Sequence, residues 1–380
     1  MRRLMLVMAA VTCLMCNNVE TVRENEPVFE QTDVFVGGQD GIFEYRIPVL
    51  VTSNKGTLLA FCDARVEKEG DPPNNIDLAL KRSFDGGKTW GPLQLLVDAG
   101  EGAVADSCGL VDRKTGTIWV FSVYGPKGIG SANAEAGLTG DTFMYWAVKS
   151  DDDGETWSDP IDITAMVKKP EWHAGSPGPG TGIQTRAGRL IVPRYYTPAD
   201  GQSVAFLSYS DDHGKTWQIG GEAKGPWSTN ETAVVELDDG SLLLNMRGAT
   251  GNHRKIARST DGGMTWSEMT EDPALIEPGC QGSLIVHTDG LHYPKSRLVF
   301  LNPASTERNK MTARLSYDEG KTWPVSRLIH KGHSSYSCLT VLPDKSIGLL
   351  YERDKYTKVT FARLTLQWLT RGKDRIKAGG

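Results

Sequence analysis

An eight-residue box that occurs five times constrains the fold of this chain more than any other feature. Successive copies start 67, 60, 49 and 57 residues apart, close to the length of a four-stranded propeller blade. Because a single blade cannot bury its faces without neighbours, the repeat predicts one closed all-β ring rather than several domains. The pattern is S-x-D-x-G-x-T-W, and its copies begin at Ser83, Ser150, Ser210, Ser259 and Ser316.

Each box has the composition of a tight turn, and it follows an alternating, strand-like run. Its Asp can accept hydrogen bonds from nearby backbone N–H groups, and its Gly can adopt the positive φ that a tight hairpin needs. The Trp that ends the box is expected to pack onto the apolar layer beneath the turn. We therefore interpret the boxes as structural elements rather than as catalytic ones.

Charge and cysteine usage restrict the classes of function. The net charge of −5 is mildly acidic and there is no basic block, which disfavours nucleic acid as a partner. No internal segment is long and apolar enough to span a bilayer. Beyond the N-terminal region the cysteines are isolated and form no C-x-x-C pair, so we predict no metal site and no cofactor. These cysteines are Cys62, Cys108, Cys280 and Cys338.

Residues 1–16 have the pattern of an export signal. Arg2 and Arg3 supply the positive start, and Leu4 to Met15 supply an apolar segment that is too short to span a membrane. Two outcomes stay open: release into the periplasm or medium, or lipid anchoring at Cys16, which ends the apolar run. The residues before Cys16 are larger than a lipoprotein signal normally has, which favours release.

The remaining chain divides into a leader (17–32), a single β domain (33–370) and a short C-terminal tail (371–380). Helical periodicity is nearly absent before the segment 361–371, which fits either a helix or a closing strand. Alternation and turn residues predict strands that include 33–37, 57–65, 117–124, 142–149, 189–196, 241–246, 298–302 and 347–351.

The phrase Tyr45-Arg46-Ile47-Pro48 ahead of the repeated boxes resembles the bacterial sialidases, or exo-α-neuraminidases. The resemblance runs from about residue 33 to 365. It implies a six-bladed β-propeller with four antiparallel strands per blade. It also implies a substrate that ends in an α-linked sialic acid, with no cofactor.

Sialic acid carries a carboxylate on its anomeric carbon, and a guanidinium group pairs with a carboxylate through two parallel hydrogen bonds. By the resemblance, three arginines hold this carboxylate. The first is Arg46 and the second is Arg247. The third is Arg308 or Arg314, and we prefer Arg308 because Arg314 lies inside the strand that leads to the last box.

The same carboxylate disfavours a negatively charged nucleophile, and sialidases are known to use a tyrosine instead. By the resemblance this nucleophile is Tyr336. A phenol ionises near pH ~10, so it needs a base to take its proton. Glu231 matches that base. Glu236 is the rival carboxylate, although its position beside a hairpin turn favours a solvated role.

The resemblance assigns the general acid to Asp71, on the polar loop 66–75, where it would protonate the leaving oxygen and then activate water. Asp77 is the alternative, but it opens a strand, which suits a structural role. Arg65 resembles an additional arginine on the 4-hydroxyl side of the sugar. Glu352 resembles a carboxylate that orients Arg46.

The sequence thus predicts an exported, monomeric exo-α-sialidase that hydrolyses sialylated glycans with retention of configuration. Two alternatives remain. The same site is compatible with transfer to another sugar or with an intramolecular reaction that gives an anhydro product. A non-catalytic glycan-binding propeller is the other, and it would be expected to lack one of Asp71, Glu231 and Tyr336, all of which are present.

Overall fold

A computed structural model describes residues 26–376, and the predicted signal with Cys16 lies outside these residues. The described chain is built from β-strands with two short helices, α1 (Thr164–Val167) and α2 (Leu366–Thr370). Neither helix is long and apolar enough to cross a membrane. The predicted all-β class is therefore confirmed.

The first strand, β1 (Phe29–Val36), pairs antiparallel with β25 (Lys358–Leu364) near the other end of the chain. The strand starts at Phe29, four residues before the predicted Asp33. These residues read Phe-Glu-Gln-Thr, and their side chains are half-buried or exposed. They pair through their backbones, which the side-chain pattern did not reveal.

The strands of residues 26–376 form four sheets. The first has the main order β2 (Glu44–Thr52), β3 (Leu58–Arg65), β4 (Ile76–Ser83), β6 (Ala103–Val111), β7 (Ile118–Gly125), β8 (Met144–Ser150) and β9 (Ile161–Asp162). In this sheet β5 (Gln94–Val97) also pairs with β4, and β11 (Gly180–Thr181) runs parallel to β6.

The second sheet has the order β10 (Ala174–Pro177), β13 (Leu190–Thr197), β14 (Val204–Ser210) and β15 (Gln218–Ala223), with β12 (Ile183–Gln184) also paired to β13. The third contains β16 (Thr229–Glu236), β17 (Leu242–Gly248), β18 (His253–Ser259) and β19 (Thr270–Ile276). The fourth joins β1 and β25 to β24 (Ile347–Arg353), β23 (Val325–Val341), β22 (Asn309–Ser316), β21 (Arg297–Pro303) and β20 (Ser283–Thr288).

The long strand β23 pairs with two different strands along its length. Its first half, up to His333, pairs with β22, and its second half, from Ser334 to Val341, pairs with β24. The segment 361–371, for which the sequence fits either a helix or a strand, is both: β25 ends at Leu364 and α2 follows. Part of the tail is also ordered, because Asp374 accepts two hydrogen bonds from the Arg297 guanidinium, at 2.7 and 2.8 Å.

The boxes form the same turn at each of the five positions. In the first, Thr89 N–H donates to Asp85 Oδ1 at 3.0 Å, and Gly87 N–H donates to Ser83 Oγ at 2.9 Å. Gly87 has a φ of 90°, and the box tryptophan Trp90 packs on the apolar core that contains Phe361. Equivalent Asp–Thr and Ser–Gly hydrogen bonds occur in the other four boxes. The boxes thus close turns and tie them to the core.

Candidate active site

Four strands break their regular pairing where they carry residues of the site. The register of β2 shifts between Arg46 and Val49, and that of β6 shifts between Ala105 and Cys108. In β16 the shift lies between Thr229 and Thr232, and in β23 between Ser334 and Ser337. A bulge re-aims the side chains beside it. In this way Arg46, Asp106, Glu231 and Tyr336 all come from irregular segments of otherwise regular sheets.

The backbone is strained at two of these bulges. Ile47 has a φ of 54° and Asp106 a φ of 55°, in the left-handed region that residues with a Cβ rarely adopt. For the β-branched Ile47 this conformation is especially unfavourable. Its N–H donates to Glu352 Oε1 at 2.8 Å, which fixes the strained segment.

Glu352, on β24, is fully buried and links Arg46 to Tyr336. Its Oε1 accepts from Arg46 Nε at 2.6 Å, and its Oε2 accepts from Tyr336 N–H at 3.0 Å. Burial alone would lower the pKa of Arg46, but the negative charge of Glu352 outweighs it and raises that pKa. Arg46 therefore stays cationic while its Nη groups remain for another partner.

Tyr336 and Glu231 form the centre of the cluster. The Tyr336 hydroxyl donates to Glu231 Oε1, and Arg247 Nη1 lies 3.0 Å from the same phenolic oxygen. Arg247 Nη1 also lies 2.8 Å from Glu231 Oε2. Burial and the charge of Glu231 raise the pKa of Tyr336 well above its ordinary value, whereas Arg247 opposes them. The resting phenol is therefore protonated, and its proton points at a carboxylate that can accept it.

Arg308 completes a set of three guanidinium groups around Tyr336. Its Nη2 donates to Gly279 O at 3.1 Å, and its Nη1 donates to Ser335 Oγ at 3.2 Å. The guanidinium carbons of Arg46 and Arg308 lie 5.5 and 5.6 Å from the centre of the Tyr336 ring. Arg314, the alternative, is buried within β22 and donates to Asn302 Oδ1 at 2.9 Å.

Asp71 and Arg65 form an ion pair at one side of this cluster. Arg65 is buried and also donates to Glu44 Oε2 at 3.0 Å, whereas the Asp71 side chain is 81% exposed on the loop 66–75. Asn74 holds that loop, because its amide donates to the backbone oxygens of residues 68 and 70, each at 3.0 Å. An exposed carboxylate on a held loop is accessible to both a leaving group and water.

The rival carboxylates have structural partners. Asp77 Oδ1 accepts from the Ala99 N–H at 2.9 Å, and Glu236 Oε2 accepts from the Arg186 N–H at 2.8 Å. All four cysteines within residues 26–376 are buried free thiols. Within the same residues there is no group of three or more His, Cys, Asp or Glu side chains that could hold a metal ion.

The sequence did not single out two residues that lie in the cluster. Asp106 has a pKa raised to about 7, through burial and through the charges of Glu231 and Asp71. Its N–H donates to the buried Asp63 Oδ2 at 3.2 Å. The Tyr356 ring packs against the Arg46 guanidinium, 3.9 Å from its carbon. The bulge of β6 and a turn after β24 place these two side chains, and neither has a motif around it.

Chemically, the cluster combines three features. Three guanidinium groups surround one phenol, a carboxylate accepts the phenolic proton, and a second carboxylate stands exposed at the edge. Such a set can hold an anion, supply an oxygen nucleophile and transfer a proton to or from a third group.

Comparisons with known proteins agree with this geometry. The BNR repeat-like domain family matches residues 56–351. A sialidase of Micromonospora viridifaciens is 40% identical to this chain over 90% of the chain. The chain spans 55% of the length of that sialidase. A sialidase of Paraclostridium sordellii is 31% identical over 89% of this chain and 88% of its own length. Among solved structures, the Hadza microbial sialidase Hz136 superposes with a TM-score of 0.83 at 36% identity, covering 89% of this chain and 69% of that one. With its repeat domain and with relatives of this similarity, the chain belongs to the sialidase family.

Proposed function

We propose that this protein is an exo-α-sialidase that releases terminal α-linked sialic acid from glycoproteins, glycolipids or oligosaccharides. The observation that carries the proposal is the contact between Tyr336 and Glu231 inside a ring of three arginines. Membership of the sialidase family supports it.

Arg46, Arg247 and Arg308 are proposed to bind the carboxylate of the sugar. The planar, charged guanidinium group of each can pair with a carboxylate through two parallel hydrogen bonds. Glu352 and Glu231 each neutralise one of the arginines, so the cluster keeps one excess positive charge for a monoanionic ligand. Arg65 is proposed to contact the 4-hydroxyl side of the sugar.

In the first step, the Tyr336 oxygen attacks the anomeric carbon while Glu231 takes the phenolic proton. The bond to the leaving oxygen breaks, and Asp71 gives that oxygen a proton. Since the phenolate forms only as it attacks, the raised pKa of Tyr336 is compatible with this role. In the second step, Asp71 takes a proton from water, the hydroxide attacks the anomeric carbon, and Tyr336 leaves and recovers its proton from Glu231. Two inversions give net retention.

A six-bladed β-propeller is the proposed architecture. The strand pairing supports it, since it divides into six successive antiparallel groups, each of four main strands. The last group consists of the second half of β23 with β24, β25 and β1. Pairing of the first described strand with the last would close the ring. We further propose that residues 1–16 direct export, with release or anchoring at Cys16 open, and that the mature protein is a monomer.

The test is release of sialic acid from an α-sialyllactose and from the methyl ester of the same compound. Removal of the carboxylate charge from the substrate is expected to lower kcat/KM by at least about 100-fold, because the three arginines then contact a neutral ester instead of a negatively charged acceptor. Product analysis separates free sialic acid from an anhydro sugar or a transfer product. A folded protein that releases no product from the sialoside would exclude the proposed activity. Equal hydrolysis of the ester would exclude the proposed contacts of the three arginines with the carboxylate.

A further inference from the structure

The turn between β24 and β25 has an unusual backbone. Three consecutive residues without glycine, Asp354, Lys355 and Tyr356, have φ angles of 54°, 55° and 65°. Residues with a side chain rarely adopt this left-handed region, and runs of several such residues are rarer than single ones. Such a turn persists only when its surroundings hold it, and strained backbone of this kind concentrates at functional sites.

His333, on β23, holds this turn. Its backbone oxygen accepts from the Asp354 N–H at 3.2 Å, and its Nδ1 accepts from the Lys355 N–H at 3.1 Å. The imidazole ring also packs edge-on against the Tyr356 ring, with centroids 4.7 Å apart and planes at 86°. Because Nδ1 is the acceptor, this arrangement uses the neutral imidazole.

The turn presents Tyr356 to two of the three arginines. The Arg46 guanidinium carbon lies 3.9 Å from the centre of the Tyr356 ring, and Arg308 Nη1 lies 3.2 Å from the Tyr356 hydroxyl. Glu352 contacts Arg46 at Nε and not at its terminal nitrogens. Tyr356 therefore constrains the part of Arg46 that Glu352 does not hold.

Two neighbouring cations repel each other and lose side-chain freedom when a ligand orders them. An aromatic face attracts a guanidinium group without neutralising it, and a hydroxyl oxygen can accept from one without adding a negative charge. Tyr356 can thus order Arg46 and Arg308 before a ligand arrives. A carboxylate in its place would compete with the carboxylate of the substrate.

We propose that Tyr356 is a positioning residue for the substrate carboxylate: it orders Arg46 and Arg308, and His333 fixes the strained turn that presents it. This inference rests on the proposed function, because it takes the three arginines to be the carboxylate site. It assigns no step of bond breaking to Tyr356.

The test compares wild type with Tyr356→Leu and Tyr356→Phe in steady-state hydrolysis of an α-sialoside. The substrate carboxylate is present in the ground state and in the transition state, so a loss of its binding raises KM more than it lowers kcat. Tyr356→Leu is expected to raise KM about tenfold with kcat within about twofold. Tyr356→Phe keeps the ring over Arg46 and is expected to raise KM only about threefold.

The matched control is Tyr293→Leu. Tyr293 also faces a cation, Lys345 at 5.7 Å, and it is not part of the arginine cluster, so its replacement should leave KM unchanged. Unchanged KM in Tyr356→Leu, or a fall in kcat at constant KM, would mean that Tyr356 has a purely structural role. If Tyr356→Leu does not fold, Tyr356→Phe still decides, because wild-type KM in that variant contradicts the contact with Arg308.

Calorimetric binding of a planar, unsaturated sialic acid analogue separates this inference from the proposed activity, since it needs no turnover. Weaker binding by Tyr356→Leu than by wild type, about tenfold in Kd, supports positioning even if no hydrolysis is seen. Equal binding by the two proteins overturns the inference while hydrolysis by wild type leaves the proposed function intact. A wild type that neither binds nor hydrolyses overturns both.

Discussion

Arg46 and Glu352 are 306 positions apart in the sequence, and a hydrogen bond of 2.6 Å joins Arg46 Nε to Glu352 Oε1. The side chain of Arg46 is 8% exposed and that of Glu352 is fully buried. The same carboxylate accepts from the N–H groups of Ile47 and Tyr336. One side chain near the end of the chain thus fixes an arginine near its start and the backbone of the proposed nucleophile.

Replacement of Glu352 by Gln should therefore lower both stability and activity. Loss of one partner from a buried ion pair typically costs about 3–5 kcal/mol, because the other charge stays buried. We expect Glu352→Gln to lower the free energy of unfolding by about 3 kcal/mol, measured by urea denaturation, and to raise KM. The control is Glu101→Gln, since Glu101 pairs with Lys127 on the surface. This substitution should change the free energy of unfolding by less than about 0.5 kcal/mol. Equal effects of the two substitutions would contradict the linking role of Glu352.

The choice between Arg308 and Arg314 is open to a direct test. Arg308 lies over Tyr336, whereas Arg314 is bonded to Asn302 inside its sheet. Lysine keeps the charge but loses the planar fork. Arg308→Lys should raise KM for an α-sialoside about tenfold or more, and Arg314→Lys should leave KM within about twofold. The opposite pattern in the two variants would make Arg314 the third carboxylate-binding arginine.

The structural role of the boxes is tested at Gly87. A Cβ there would lie 2.0 Å from Phe361 Cε1, and the φ is 90°. Gly87→Ala should therefore lose about 2–5 kcal/mol of stability, seen as a lower urea midpoint, while the folded fraction keeps its KM. The control is Gly140→Ala, where φ is 87° but nothing lies within 4 Å of the new Cβ, so about 1 kcal/mol is expected from strain alone. If both variants lose the same stability, the contact of a Cβ with Phe361 does not destabilise this turn.

Burial of a histidine outside the site should contribute a loss of stability in mild acid. Burial lowers the pKa of His287 from 6.5 to about 4, although its hydrogen bond to the Lys345 carbonyl opposes this. Below pH 6.5 the unfolded chain binds a proton at this position and the folded protein does not, so the stability that this histidine contributes falls as the pH decreases from 6.5 to 4. The full loss is on the order of 3 kcal/mol. The raised pKa of Asp106 acts in the opposite direction over the same range.

His287→Gln removes this titration, so its stability in urea should decrease less than that of the wild type, or increase, as the pH falls from 6.5 to 4. His292→Gln is the control, since the His292 side chain is 70% exposed. The same slope of stability against pH in His287→Gln and in the wild type would contradict the effect of burial.

Local chemistry made part of this structure predictable. The boxes combine Asp, Gly and Trp within eight residues, so both the turns and the β class followed from the sequence. Strands such as β7 and β13 were predicted to within two residues, because one face of each is apolar. The start of β1 was predicted wrongly, because residues 30–32 are half-buried or exposed and show no apolar pattern, although their backbones pair with β25.

The site was less predictable from residues alone. The resemblance supplied Arg46, Glu231 and Tyr336, and the structure brings them together although they lie far apart in the chain. Asp106 and Tyr356 were missed because a bulge and a left-handed turn place them, and neither has a distinctive local sequence.

Two glutamines hold neighbouring strands and loops together through their side-chain amides. Gln184 donates to Asp112 Oδ1 at 2.8 Å and accepts from the Arg113 N–H at 2.7 Å. Gln281 donates to Pro179 O at 2.9 Å and accepts from the Ser337 N–H at 3.0 Å. Each partner is distant in the sequence, so the local sequence around a glutamine does not reveal this structural role.

Trapping of the covalent intermediate would identify the nucleophile, which we propose to be Tyr336. A sialosyl fluoride with a second fluorine at C3 has a good leaving group, and the added fluorine destabilises the oxocarbenium-like transition state that would release the sugar. We predict that the wild type gains the mass of one fluorinated sialyl group and that peptide mapping places it on Tyr336, whereas Tyr336→Phe gains none. Labelling of Glu231 or another residue in the wild type, or equal labelling of Tyr336→Phe, would contradict the account.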